Sequence, residues 1–244
     1  MVLLLLLTIA NYVAATGITL RLLPPDLPRA KGSWAGVETA GFLSDSSRAE
    51  RYLAACLLWN ALILLPMQVL GLTNHLTRPN IAIGSAVTAM VAFVASSAGR
   101  RLGEHAAAVG HELLSVVRLP IDAVMEPVRR RSLVAPIVVV VLAMIAWTGW
   151  LCWLAPADDW DSIEYHHAIV GFALQNHGFA KVDNYPFEHI NSFPKHCELT
   201  SLWFIAFVDR RLSDLPHTVL APAFLAAAYV LVRRWARNRT EAIG

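Results

Sequence analysis

The sequence predicts an all-α polytopic membrane protein, with about five transmembrane helices and an extracytoplasmic loop carrying short interfacial helices. Hydrophobic residues fill 56% of the 244 positions and charged residues only 16%, an apolar excess and a charge deficit relative to globular domains. Mean hydropathy is +0.50. Apolar runs close to the ~20 residues that cross a ~30 Å hydrocarbon core recur along the chain. The basic residues, nearly all arginine, gather beside those runs as membrane topology requires. A formal net charge of +2 is too small to attract nucleic acid, so the expected partner is the lipid bilayer.

The first run, residues 2–20, lacks a charged leader and begins its leucines at Leu3, so it reads as a retained span and not a signal peptide. Pro24, Pro25 and Pro28 then break the helix. Residues 52–72 and 81–98 give the second and third spans. Residues 102–117 place Leu102, Val109, Leu113, Val116 and Val117 near one face, the pattern of a cytoplasmic amphipathic helix. Residues 133–154 and 217–232 give the fourth and fifth spans. Two regions follow: residues 1–132, with three spans and the amphipathic helix, and residues 133–244, with a span, a loop over 156–216, a span and a basic tail.

Arginines set the orientation. Arg100 and Arg101 follow the third span, Arg129 to Arg131 precede the fourth, and Arg233, Arg234, Arg237 and Arg239 follow the fifth. By the positive-inside rule all three groups are cytoplasmic, which puts the 156–216 loop outside. Residues 198–208 are apolar but too short to cross, and a crossing would strand the Arg-rich tail outside. They read as an interfacial or re-entrant helix on the outer face. Cys56, Cys152 and Cys197 show neither metal-ligand spacing nor a disulfide framework. With charges scarce within the spans and Asn11 and Asn60 their main polar residues, a transporter or channel is disfavoured.

The loop carries the chemistry. Asp158, Asp159, Asp161 and Glu164 crowd into one short stretch just past the fourth span, and their mutual repulsion needs a cation, a proton or a ligand to offset it. Hard cations prefer oxygen ligands, so Mg²⁺ or Mn²⁺ held by Asp158, Asp159 and Asp161 is the metal expectation. The histidines His166, His167, His177, His189 and His196 do not fall at zinc-ligand spacing. A short helix is expected from about 162 to 176, with Asp161 as its N-cap and Gly178 as its C-cap, followed by a turn at Tyr185-Pro186. Capping alone is a sufficient structural reason for Asp161.

In order, Asp161 with Glu164-Tyr165, Gly178, Tyr185-Pro186, Pro194-Lys195, Glu198 through Leu202-Trp203, and the span ending in Val232-Arg233-Arg234 resemble the amino-terminal catalytic half of GT-C superfamily glycosyltransferases. The likeness is to the aminoarabinose and protein-mannosyl transferase branches and covers roughly residues 133–240. The stretch from Trp160 to His166 also resembles the loop opening of uncharacterised bacterial members. The resemblance implies an enzyme of the bacterial inner membrane that moves a sugar from a polyprenyl-phosphate donor to an acceptor hydroxyl on the outer face. Asp161 would be the general base, with Asp159, Glu164, Tyr165, His166 and Lys195 holding substrate. Trp160 and Trp203 would anchor at the interface or stack on a sugar. The family's Lys-Pro-Pro element stands here as Pro194-Lys195-His196. Family members commonly carry further spans that build the donor groove. The expectation is therefore a truncated front portion, inactive alone or completed by a partner chain. The alternative is a non-catalytic integral membrane assembly or binding subunit.

Overall fold

The computed structural model describes residues 1–23, 39–129, 134–155, 166–183, 189–192 and 196–243. Among these residues the chain is helical and contains no strand. The helices are α1 (Val2–Leu22), α2 (Thr39–Leu72), α3 (Arg78–Ser96), α4 (Leu102–Arg129), α5 (Val134–Leu154), α6 (His167–Gln175), α7 (His189–Ser192), α8 (His196–Phe207) and α9 (Leu215–Ile243). A 3₁₀ turn over Arg210–Leu212 joins α8 to α9.

Five segments are long and apolar enough to cross a membrane: Val2–Leu22, Arg48–Leu72, Arg78–Ser96, Ala135–Leu154 and Leu215–Val232. They coincide with the five apolar runs of the sequence, but the helices that contain them run further. α2 begins at Thr39 and α9 continues through the Arg-rich tail. Once a helix is nucleated, each added residue gains one hydrogen bond, and Arg, Glu and Ala extend it readily. α4 likewise passes Val117 and reaches Arg129. Its apolar periodicity persists beyond Pro120, because Leu114, Val117, Ile121, Met125 and Val128 form one exposed stripe.

α1, α2 and α3 pack on one another, and α9 and α5 join on the outside. Leu4 and Leu7 of α1 meet Trp59, Ile63 and Met67 of α2 and Ile81 of α3 in the core. The outward faces expose Leu5, Leu6, Ile83, Met90 and Val94, and α5 exposes Ile137, Val140, Met144, Trp147 and Trp150. Apolar side chains outside and inside alike suit helices solvated by lipid. Asn11 uses its amide to tie two of them, donating from Nδ2 to Ser85 Oγ at 2.7 Å and to Leu7 O at 2.8 Å.

Where α1 and α3 end, one junction holds three helices. A Cβ on Gly17 would stand 2.7 Å from Ser96 Oγ and 2.9 Å from His105 Nε2, so only glycine allows α1 this approach. Ser96 Oγ donates its single proton to Phe93 O at 2.7 Å and therefore accepts from His105 Nε2 at 2.9 Å. Arg21 donates to the carbonyls of Ala95 and Ala98, both at 3.0 Å, closing the C-terminus of α3. Further along α4, buried Glu112 accepts from buried Arg51 Nε of α2 at 2.7 Å. His105 is itself buried. Its pKa is lowered by that burial first, then by the Arg100 and Arg21 charges. Its other nitrogen, Nδ1, is buried and has no partner among the described residues.

Two outcomes follow for this junction. Gly17→Val should lower stability by about 1–3 kcal/mol through overpacking, read by thermal unfolding in detergent micelles. For His105 the native pKa lies below the ~6.5 of an unfolded chain, so between the two values the unfolded chain binds the extra proton. Its contribution to stability should be complete above about pH 6.5 and fall as pH drops through that window, and His105→Gln should flatten that part of the profile.

Candidate functional site

The site is organised by a helix too short to span anything. Within α8, Leu199, Leu202, Trp203, Phe204 and Ala206 are all buried, enclosed by α1, α2, α6 and α9. Thr200 Oγ1 donates to Asn60 Oδ1 at 3.3 Å, and Trp203 Nε1 donates to Thr8 Oγ1 at 3.4 Å. Asn60 stands midway along the apolar part of α2, so α8 is set into the bundle. This enclosure holds most of the segment 198–208 that was expected as an interfacial or re-entrant helix. It also corrects the expectation for Trp203. Its exposure is 0% and its ring packs edge-on to Phe207, so it is a core residue that can neither anchor at a water–lipid boundary nor stack on a sugar.

α6 lies against α8 and is fixed at both ends. At its C-terminus Gly178 N donates to Ala173 O at 3.0 Å and His177 N to Leu174 O at 3.4 Å, the paired bonds of a Schellman motif. The left-handed residue is His177, at φ 54°, and not Gly178 as the sequence suggested. Gly178 is required for another reason. A Cβ there would collide with Asn74 Oδ1 and stand 2.8 Å from Gly71 O, where the loop crosses the α2–α3 turn. Leu76 N donates to His177 O at 2.6 Å and Phe179 N to Gly71 O at 3.0 Å. The loop and the α2–α3 turn are thus stitched together by backbone bonds and belong to the same end of the bundle.

At the other end of α6, His166 faces Glu198 in the first turn of α8. Nδ1 of His166 lies 2.7 Å from Glu198 Oε1. The His166 side chain keeps 43% of its surface exposed while that of Glu198 keeps only 5%. The second carboxylate oxygen, Oε2, is buried with no hydrogen-bond partner among the described residues. Taking a carboxylate out of water costs several kcal/mol unless donors offset it, and His166 is the donor seen here. The pair therefore locks the start of α6 to the start of α8. Nearby, Ser201 Oγ donates to Ser213 O at 2.8 Å, and the Arg211 guanidinium sits 5.7 Å from the Trp153 ring, holding the end of α5 to the α8–α9 turn.

Of the sequence-predicted site residues, the structure places His166. Asp158, Asp159, Asp161, Glu164, Tyr165 and Lys195 lie outside the described residues, as do Trp160 and the Tyr185-Pro186 turn. Along the chain the acidic stretch ends at Glu164, two positions before His166, and Lys195 stands just ahead of α8. Among the described residues no group of three or more His, Cys, Asp or Glu could hold a metal ion. The expected Mg²⁺ or Mn²⁺ centre of Asp158, Asp159 and Asp161 falls wholly outside them. The sequence reading took in Glu198 as a family element without giving it a partner. A lone carboxylate at the head of an apolar run too short to cross is the signal that marks it. Protein-family models, curated proteins and solved structures were compared with the chain, and none matches it.

The pair makes a stability prediction. His166→Ala should cost about 1–3 kcal/mol by stranding a buried carboxylate. Adding Glu198→Gln should return part of that loss, because the neutral amide is cheaper to bury. Thermal unfolding of the two single variants and the double variant in micelles measures it.

Proposed function

We propose that this chain is the loop-bearing membrane region of a GT-C-type glycosyltransferase, transferring a sugar from a polyprenyl-phosphate donor to an acceptor hydroxyl outside a bacterial inner membrane. The observation that carries the reading is the buried Glu198 bonded to His166, which follows the last acid of the loop opening, Glu164, by two positions. A protein with no polar work to do in this region has little reason to keep a carboxylate in an apolar bundle. The five apolar segments and the enclosed α8 supply a framework in which a lipid-borne substrate can meet that stretch.

In this reading Asp161 is the general base. An alcohol is a poor nucleophile at neutral pH, and a positioned carboxylate removes its proton as the new bond forms. The acceptor oxygen bonds to the anomeric carbon, the bond from that carbon to the donor phosphate oxygen breaks, and polyprenyl phosphate leaves with the electron pair. The acceptor proton passes to Asp161 and the configuration inverts. Asp159, Glu164, Tyr165 and His166 hold sugar hydroxyls. Lys195 offers a compact cation to the donor phosphate.

The experiment compares Asp161→Asn with the unmodified chain in native membranes, supplied with a panel of polyprenyl-phosphate sugars. The reading expects equal amounts of folded protein and a fall in transfer of about 10²–10⁴-fold. Equal transfer would remove the base role and leave Asp161 a helix cap, since Asn caps about as well as Asp.

A further inference from the structure

We propose that α4 is an in-plane membrane helix. Its exposed stripe of Leu114, Val117, Ile121, Met125 and Val128 is seated in the headgroup–acyl boundary of the leaflet at the end of the bundle where α1 and α3 finish. The inference is independent of the sugar-transfer reading. α4 is not among the segments long and apolar enough to cross a membrane, yet it stands between two that are, α3 and α5. The five residues of the stripe keep between 41% and 68% of their surface exposed, so no other part of the described fold covers them.

Polar contacts fix the course of the helix. His105 meets Gly17 of α1 and Ser96 of α3, Glu112 pairs with Arg51 of α2 at 2.7 Å, and Asp122 pairs with Arg48 of α2 at 3.4 Å. From His105 to Asp122 the helix advances about 25 Å, whereas Arg48 and Arg51 are only about 4.5 Å apart along α2. Ser96 closes its span and Arg48 opens the one before it, so these partners stand at one end of the bundle. A helix that travels so far past partners that travel so little lies across that end and not alongside the spans.

Around its axis α4 shows three sectors, where a helix between a bundle and water needs two. Buried His105, Val109 and Glu112 form the inward sector. At about 100° per residue, the apolar stripe is centred about 150° from it on one side. Exposed Glu104, His111, Arg118, Asp122 and Arg129 are centred about 130° from it on the other. Apart from Leu102 at its first position, the exposed large apolar residues of α4 among the described residues all fall in the stripe. Protein, lipid and water are the three environments that meet at a bilayer surface beside a membrane protein. A helix beneath the bundle, away from lipid, would be polar over both outward sectors. In-plane helices instead bury the apolar face about 5–10 Å into the boundary and keep the charged face in water. Along the chain the stripe leads on to exposed Ile137 and Val140 of α5, one of the membrane-crossing segments. The occupant is therefore the same lipid that solvates α5. Arg118 and Arg129 adjoin the stripe on its polar side, where their long stems let the cations reach lipid phosphates.

The test reads what each sector touches. The full chain, with its three cysteines replaced by alanine, receives one spin label at Val117→Cys, Ile121→Cys, His111→Cys or Arg118→Cys and is reconstituted in liposomes. All four sites are exposed in the fold, so labelling leaves the core intact. Electron paramagnetic resonance compares relaxation by oxygen, which concentrates among acyl chains, with relaxation by a neutral nickel chelate, which stays in water. The proposal expects oxygen to dominate at 117 and 121 and nickel at 111 and 118, a several-fold swing in their ratio. Nickel dominance at 117 and 121 would mean a stripe facing water. Weak relaxation by both reagents there would mean a stripe covered by a second copy of the chain. Either result overturns the proposal. The unmodified chain gives a second reading, with a lipid that carries a photoactivatable diazirine near the top of its acyl chain. That lipid should attach to the tryptic peptide 119–129, and attachment to the spans without this peptide would equally overturn it.

Discussion

A helix of twelve residues, α8, cannot cross a hydrocarbon layer, and its terminal carbonyls and N–H groups cannot be left in one. It persists because other helices surround it. α1 and α2 give it Thr8 and Asn60 as hydrogen-bond partners, and α6 covers its first turn. Everything distinctive about the loop follows from that enclosure. It buries Glu198, which obliges a donor to come to it. His166 supplies that donor. The Schellman turn at His177 and the crossing of Gly178 over Gly71 secure the far end of α6.

The opposite end of the bundle is built on a different economy of contacts. There the close approach allowed by Gly17 brings α1, α3 and α4 together around the Ser96–His105 hydrogen bond. Arg21 closes the open carbonyls of α3, and Arg51 with Glu112 pins α4 to α2. Among the described residues this end also leaves some buried polar atoms without a hydrogen-bond partner, His105 Nδ1 and Tyr12 Oη among them. At the loop end, among the described residues, Glu198 Oε2 and Ser213 Oγ are buried without a hydrogen-bond partner. An unmatched carboxylate oxygen beside a half-exposed histidine is the more reactive of the two arrangements, which is why function is sought there.

The spans were legible because a bilayer imposes one length and one polarity on any helix that crosses it, and runs such as Ala135–Leu154 satisfy both without ambiguity. Helix ends were less legible. Past Val232 no apolar requirement applies, and propagation through good helix formers carries α9 onward, whereas α4 runs past Val117 with its apolar periodicity in spite of Pro120 and Pro127. Trp203 was read from residue type as an interfacial anchor or a sugar-stacking ring; its burial depends on α1 and α2, which meet it from far away in the chain. His177 took the left-handed position beside an available glycine because Gly178 was needed for the crossing at Asn74 and Gly71. The pairing of His166 with Glu198 joins positions with no sequence pattern between them, and the acids before His166 lie outside the described residues.

The proposed reaction requires the loop bearing His166 and Glu198 to face the outside while Arg129, at the end of α4, faces the cytosol. The direct measurement replaces the three native cysteines with alanine, introduces either Lys181→Cys or Arg129→Cys, and treats intact cells with a membrane-impermeant thiol reagent. Lys181 and Arg129 are both exposed in the fold, so access from outside decides the result. The account expects Lys181→Cys to be labelled in intact cells and Arg129→Cys only after the membrane is opened. The reverse pattern would place the acidic stretch in the cytosol and contradict the proposed reaction at the outer face.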